Sequence, residues 1–404
     1  MNPLLKKLEK ISSKKKRRII GLMSGTSMDG LDIALCRFSG SGTRTSFELE
    51  EFTTVSYPDD VNRQLIGFAA AECLDPQLLC VWHTWLAHLH ARHVNEALEA
   101  WKVDAEDVDL IASHGQTLYH APKHKHNMKG MPNATFQIGD GDHIAHLTGI
   151  ITISDFRQRD TARGNEGAPL AAYGDYLLFS DPGTHRILLN VGGISNFTWL
   201  PTGSGPFPPL SFDTGPGNTL IDAAARQYFT GLRFDAGGGL AGTGTVHAGL
   251  LGLLRQHPYF KIPPPKTTGF EVFHLNWVEN CLDELGLLMV DKRLHPDRMQ
   301  AVDLLATLTR LTVGTIADQI RNILPQGEAA EVLVSGGGAY NDTLVNGLRE
   351  VLQPVPVSRI DDLGVPADAK EALFFAALAN ELVCGEDTRL HLGKISLPDA
   401  KIDG

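Results

Sequence analysis

At 404 residues the chain is long enough for two or more domains, and 43% apolar with 21% charged content describes an ordinary globular protein. A net charge of −11 argues against a general nucleic-acid binder, because phosphate backbones are held by Lys and Arg. No window approaches the ~20 continuous apolar residues of a transmembrane helix, and the first residues lack the apolar run of a secretory signal, so a soluble, non-membrane protein is expected.

The charge is uneven. Lys6 to Arg18 carries eight basic residues against one Glu and reads as a solvated N-terminal extension, with a membrane-surface or nucleic-acid arm as the alternative. After it, Ile19–Met23, Leu31–Phe38 and "SFELEEFTTVSY" make a three-stranded antiparallel start. Helical spacing follows in "PDDVNRQLIGFAAAE" and in the long "PQLLCVWHTWLAHLHARHVNEALEAW", where Trp82 and Trp85 read as core or dimer contacts. "VDLIASHGQT" is a short buried strand ending at polar residues. The run "YHAPKHKHNMKGMP" lacks an acidic or cysteine partner for a metal and reads as an exposed loop. A turn, a helix and a strand occupy "TFQIGDGDHIAHLTG" and "IITISDF".

The second half repeats the scheme: "RILLNVGGISNFTWL" is strand, glycine turn and strand, and "LSFDTGPGNTLIDAAARQYF" is a loop running into a helix. Helices are expected over 249–256, 279–285 and 301–323, then a strand, triple-glycine turn and helix in "EVLVSGGGAYNDTLVNGLREVL", and a last helix in "AKEALFFAALANELV". Five scattered cysteines with no CxxC suit buried thiols in a reducing cytosol. Strands mixed with helices in two parallel halves predict a two-domain α/β protein with an interdomain cleft.

Three glycine-rich turns each follow an apolar strand: "MSGTSMDG", "NVGGISN" and "SGGGAYN". None is a Walker loop or a good GxGxxG fingerprint, and no HRD…DFG pair marks a protein kinase. The first is overdressed for a hairpin. One glycine with φ > 0 would explain Gly30, but not the hydroxyls and carboxylates around it, which are groups that hold a phosphate and its metal.

Together with "SHGQT", "QIGDGDHIA", "SDFRQRD", "GAPL", "FDTGPGN" and "PPPKTTG", these turns resemble the anhydro-N-acetylmuramic acid kinase family, from about Ile20 to Val383. That family lies in the actin, sugar-kinase and Hsp70 ATPase superfamily, so the resemblance implies a two-domain actin-like, ribonuclease H-like fold. It also implies a cytoplasmic, homodimeric enzyme of peptidoglycan recycling, with ATP and Mg²⁺. Its reaction opens the 1,6-anhydro bridge with water and phosphorylates O6, giving N-acetylmuramic acid 6-phosphate. Two alternatives stand beside it: a kinase for another hydroxylated small molecule, and a non-enzymatic actin-like ATP switch.

Carried over residue by residue, Gly25, Thr26, Ser27, Met28, Asp29, Gly30, Leu31 and Asp32 match the first nucleotide loop, with Asp29 acting on Mg²⁺ through water. Gly192, Gly193 and Ser195 match the second phosphate loop, and Gly336, Gly337 and Gly338 the adenosine contact. Asp213 is the expected base, with helix capping as the bland alternative. Glu371 matches an acid near the sugar, the alternative being an acid favourably placed in a first helical turn. His114 and Gln116 are candidate sugar contacts, although a histidine there could be purely structural. Arg157 suits the lactyl carboxylate, with Asp160 either beside it in the site or tying it up in a salt bridge. The chain departs from the family at Asn165, Glu166 and Lys370, and in having Ser113 where a cysteine is usual. Domain boundaries are expected at 1–18 (extension), 19–153, 154–384 and 385–404 (a tail returning to the first domain).

Overall fold

A computed structural model describes residues 2–25, 27–71, 73–168, 170–202, 209–364 and 366–399. The chain divides into two compact units, the first comprising Met1–Phe179 with Asp368–Gly404 and the second Ser180–Ala367.

The first unit opens with α1 (Pro3–Ser12), capped by the Asn2 side chain, which accepts from the Leu4 amide. Then come β1 (Lys16–Ser24), β2 (Gly30–Ser39), β3 (Ser46–Ser56), α2 (Asp59–Ala70) and α3 (Pro76–Trp101). They are followed by β4 (Leu110–Ala121), the single turn α4 (Lys123–His126), β5 (Ala134–Ile138), α5 (Gly141–Thr148), β6 (Thr152–Ser154), α6 (Phe156–Ala162) and α7 (Ala171–Phe179). The second unit holds β7 (His185–Val191), β8 (Ile194–Leu200), β9 (Leu210–Pro216), α8 (Thr219–Tyr228), α9 (Ala248–Leu254), α10 (Leu275–Glu284), α11 (Ala301–Ile323), β10 (Ala330–Ser335), α12 (Asp342–Leu352) and β11 (Val357–Arg359). The chain then returns to the first unit with α13 (Lys370–Cys384) and β12 (Lys394–Ser396).

Each unit is built on the same sheet. In the first the order is β3-β2-β1-β4-β6, in the second β9-β8-β7-β10-β11. In both, the first three strands in sequence form an antiparallel meander, and the next two join parallel to it through helical crossovers. This is a ribonuclease H-like topology used twice, as in the actin-like ATPases. The first sheet is extended by β5 along β4 and by β12 along β6.

Apolar strands face apolar helix stripes in each unit. Leu22, Ile33 and Ile111 pack with Leu86 and Val94 of α3, and Ile187 and Val334 pack with Ile316 of α11 and Leu344 of α12. One close approach places α13. A Cβ on Gly21 would sit 1.8 Å from the Ala372 carbonyl oxygen, so only glycine lets β1 carry this helix.

Several expectations need correction. The segment 154–179 and the last helix belong to the first unit, because β6 pairs with β4 and α13 packs on β1, so the boundary falls after Phe179 rather than after 153. The basic N-terminal segment keeps Lys6, Lys10, Lys15 and Lys16 exposed, as expected of a solvated extension, but its end is built into the unit. Arg17 is only 3% exposed, donating to Asn380 Oδ1 (2.7 Å) and the Gly40 carbonyl (3.1 Å), and Lys14 pairs with Asp109. Its charge is accepted inside because polar partners surround it. Of the five cysteines, Cys73 and Cys80 are exposed rather than buried, and all five are free thiols. The segment around Asp213 is strand β9, not a loop. Among the described residues, no helix is long and apolar enough to cross a membrane.

Candidate functional site

The loop between β1 and β2 carries the first group of predicted residues; Thr26 lies outside the described residues. Ser27 and Asp29 are exposed, and the Ser27 hydroxyl donates to Asp29 Oδ1 (2.6 Å). Met28 and Leu31 turn inward instead. Their side chains join the hydrophobic core, so neither offers a side chain to a nucleotide. The left-handed residue is Met28 (φ 56°), not Gly30. Gly30 is needed for a different reason: a Cβ there would lie 2.7 Å from the Val55 carbonyl oxygen of β3.

Asp32 accepts from Thr54 Oγ1 (2.6 Å). Burial raises its carboxyl above the ordinary aspartate range, the Thr54 bond opposes this, and the nearby Asp368 and Asp29 carboxylates push it further up. An acidic group of this kind, with no basic side chain offsetting Asp32 among the described residues, fits a hard cation such as Mg²⁺. No three His, Cys, Asp or Glu among the described residues lie close enough to cage an ion.

The end of β4 supplies the next group, and the structure separates its members by role. Gln116 is fully buried: Oε1 accepts from Ser24 Oγ (2.6 Å), and Nε2 donates to the carbonyls of Gly25 (3.1 Å) and Thr117 (3.2 Å). Its amide is occupied by the first loop and is not offered to a sugar. His114 Nε2 accepts from Arg157 Nε (2.8 Å), which requires a neutral imidazole. Burial, with Arg157 beside it, pushes His114 down to about 3. Arg157 on α6 also donates from Nη1 to the Gly167 carbonyl (2.9 Å), which leaves the outer end of its fork without a partner among the described residues. Burial lowers this guanidinium, while Glu371 and Asp160 support its charge.

Asp160 does not bond Arg157. Its two oxygens accept from Asn165 Nδ2 and the Gly167 amide (both 2.9 Å), fixing the turn that carries Gly167. Glu371 opens α13 at an exposed position, yet desolvation by the surrounding protein raises its carboxyl, with Arg157 and then Lys370 opposing. Lys370, the departure from the family pattern, pairs with Asp175 (2.9 Å).

In the second unit the turn between β7 and β8 is made by Gly192 and Gly193, whose carbonyls accept from the amides of Asn218 (2.8 Å), Gly217 (2.8 Å) and Thr219 (3.1 Å). The hairpin thereby closes on the start of α8. Ser195 is fully buried and held by Thr214 Oγ1 (2.6 Å) and the Gly215 carbonyl (3.2 Å), so its hydroxyl is internal rather than a phosphate ligand.

Asp213 sits on β9 opposite Asn196, well before the Asn218 cap of α8, which removes the capping explanation. Its Oδ2 accepts from the Thr268 amide (2.9 Å), and Oδ1 has no protein partner among the described residues. Burial raises the carboxyl, and the Thr268 bond opposes this. Its backbone is clamped too: the Asp213 amide donates to the Lys266 carbonyl (2.9 Å), and Tyr259 Oη donates to the Asp213 carbonyl (2.7 Å). Lys266 is buried, donating to the Tyr259 carbonyl (3.2 Å) with its ammonium 4.6 Å from the Tyr259 ring centre. Tyr259, Lys266 and Thr268 had no role in the sequence reading. The available signal was the proline-stiffened "PPPKTTG".

Gly336 (φ 78°) opens the third turn, where a Cβ would meet Asn190 Oδ1 at 2.6 Å, and Gly338 packs on Val191. Gly337 lines a cavity of about 270 Å³ with Asn218, Asp222, Phe234, Tyr340 and Asn341, an aromatic-edged recess suited to a purine nucleoside.

The frame is a duplicated ribonuclease H-like one with two strand–loop–strand hairpins, and the relatives it matches make the chain an ATP-dependent phosphotransferase of the sugar-kinase class. The profile of the anhydro-N-acetylmuramic acid kinase family matches residues 17–391. Curated anhydro-N-acetylmuramic acid kinases align over nearly all of the chain. That of Pseudoalteromonas atlantica is 43% identical over 99% of this chain and 100% of its own. That of Caldanaerobacter subterraneus is 37% identical over 97% and 100%. A solved xylulose kinase from Lactobacillus acidophilus overlays at TM-score 0.44 with 12% identity, covering 95% of this chain and 94% of its own. The chain belongs to the anhydro-N-acetylmuramic acid kinase family.

Proposed function

We propose that the chain hydrolyses the 1,6-anhydro bridge of anhydro-N-acetylmuramic acid and transfers the γ-phosphoryl group of ATP to O6. The observation that carries this, beyond family membership, is the Asp213 carboxylate: one oxygen is anchored by the Thr268 amide and the other has no partner among the described residues. A carboxylate held in this way orients and deprotonates a water molecule. The water oxygen bonds to the anomeric carbon, the C1–O6 bond breaks leaving its electron pair on O6, and Asp213 takes the proton, which passes to solvent before the next turnover. O6 then attacks the γ-phosphorus and ADP leaves, so one water and one phosphoryl group are added to the sugar.

Arg157 would receive the lactyl carboxylate on the open end of its fork, in line with the bidentate pairing of guanidinium and carboxylate. His114, neutral and fixed, acts by orienting Arg157 rather than by touching sugar. Glu371, held above the ordinary glutamate range by burial, is suited to exchange a proton with a sugar hydroxyl. Asp29 and Asp32 would hold Mg²⁺ through water, and the ion supplies charge neutralisation on the phosphates. The backbone of Gly25, Gly192 and Gly193 would approach the phosphates, with the nucleoside at Gly337. Cytoplasmic location and a homodimer are carried by the family resemblance, and sedimentation of the purified chain tests the latter.

Mass spectrometry of the product tests the reaction. The expected product is the anhydro-sugar plus one water plus one phosphoryl group, and none should form with Asp213→Asn. A product phosphorylated without added water would rule out the hydrolytic step and favour plain transfer to another hydroxyl.

A further inference from the structure

Behind the first nucleotide loop runs a buried chain of hydrogen bonds whose direction can be deduced. It begins at two acceptors that cannot donate, the carbonyls of Gly25 and Thr117, which take both contacts from Gln116 Nε2. Gln116 must therefore present Oε1 to Ser24, whose hydroxyl meets two acceptors, that Oε1 at 2.6 Å and the Gly30 carbonyl at 3.2 Å, and spends its proton on them. With its proton so used, Ser24 Oγ accepts from Tyr57 Oη (2.9 Å). Tyr57 in turn has only lone pairs for His90 Nε2 (2.7 Å), so His90 carries its proton on Nε2. Burial holds His90 neutral, down to about 3, and burial likewise pushes the Tyr57 hydroxyl well above the usual tyrosine range. The chain is thus fixed in one sense, His90 to Tyr57 to Ser24 to Gln116 to the Gly25 carbonyl.

Tyr57 also grips the far side of the loop, since its amide donates to the Asp29 carbonyl (2.8 Å). His90 belongs to α3, a long helix packed into the core, so the chain ties the loop to that buried helix. We propose that the His90 and Tyr57 side chains are positioning groups for nucleotide binding: through Ser24 and Gln116 they fix the Gly25 carbonyl, and hence the course of the phosphate loop, without touching the nucleotide. This rests on the kinase reading of the loop.

The test measures the affinity of the purified full-length chain for a non-hydrolysable ATP analogue with Mg²⁺ by calorimetry, which needs no sugar or turnover. Binding by the wild-type chain checks the kinase reading separately. Tyr57→Phe and His90→Leu should each weaken analogue binding by about tenfold, the order of one or two broken buried hydrogen bonds. His90→Gln, which keeps a donor, should recover most of that loss. Leu98→Ala, in the same helix and core but outside the chain, should lower the melting temperature while leaving the dissociation constant unchanged. Unchanged affinity in Tyr57→Phe and His90→Leu would overturn the proposal. So would equal weakening by Leu98→Ala, because a general loosening of the core would then account for the effect.

Discussion

The two strand–loop–strand hairpins proposed to hold the nucleotide occupy equivalent places in the two sheets but are built from different materials. The first, between β1 and β2, presents side chains: Ser27 and Asp29 stand exposed, Asp32 half-buried, while Met28 and Leu31 anchor it in the core. The second, between β7 and β8, presents only backbone. Its glycine carbonyls are bonded to the start of α8, and its one hydroxyl, Ser195, is internal. The same topology thus yields a loop that supplies charge and hydroxyls and a loop that supplies close approach. In the first, chemistry can be changed one side chain at a time. In the second, geometry is everything.

That contrast can be broken most forcefully at Gly217. A Cβ there would lie 2.3 Å from the Gly192 carbonyl oxygen, so Gly217→Ala must push the second hairpin off α8. The expected loss is about 1–3 kcal/mol of stability, with nucleotide binding lost in proportion, read by chemical denaturation and calorimetry. Asp29→Asn touches only the acidic loop and should lower Mg²⁺-dependent turnover about 10–100-fold, with the melting temperature unchanged. A smaller, opposed pair sharpens the comparison. Ser195→Ala should cost about 1 kcal/mol of stability and leave the KM for ATP alone, whereas exposed Ser27→Ala should raise that KM and leave stability alone. If both serines behaved alike, the two loops would not differ as described.

The smallest effect concerns pH. Burial raises the Asp213 carboxyl, so the folded chain binds that proton more tightly than the unfolded chain. The stability contributed is present below the ordinary aspartate pKa and is lost as pH rises through the raised one. At neutral pH the ionised, half-buried carboxylate therefore works against folding, and Asp213→Asn should melt slightly higher than wild type at pH 7. In the active chain the same shift moves the acid limb of kcat/KM, which reports groups of the free enzyme, above pH 3.8, the ordinary aspartate value.

The duplicated strand–loop–strand plan was legible because glycine clusters and apolar runs are local signals. Asp213 was a candidate through the family resemblance of "FDTGPGN", while the local pattern placed it in a loop and left helix capping open. What escaped were consequences of long-range packing. Arg17 reads as one more charge in a basic run, and only the fold brings Asn380 and Gly40 to it. Gln116 reads as a sugar contact at a strand end, yet Ser24 and Gly25, some ninety residues earlier, claim its amide. Tyr259 and Lys266 could not be linked to Asp213 without knowing that their segment folds back on β9. Nor does local pattern reveal that α13, after a whole intervening unit, packs on β1.

The central claim is that Asp213 activates water for a sugar-dependent phosphoryl transfer. The most direct measurement is ADP release by the purified chain with Mg²⁺-ATP, with and without 1,6-anhydro-N-acetylmuramic acid, alongside Asp213→Asn. The account predicts turnover that requires the sugar and falls about 10²–10⁴-fold in the variant while the ATP analogue still binds. ADP release indifferent to the sugar, or an Asp213→Asn chain that turns over at the wild-type rate, would contradict it.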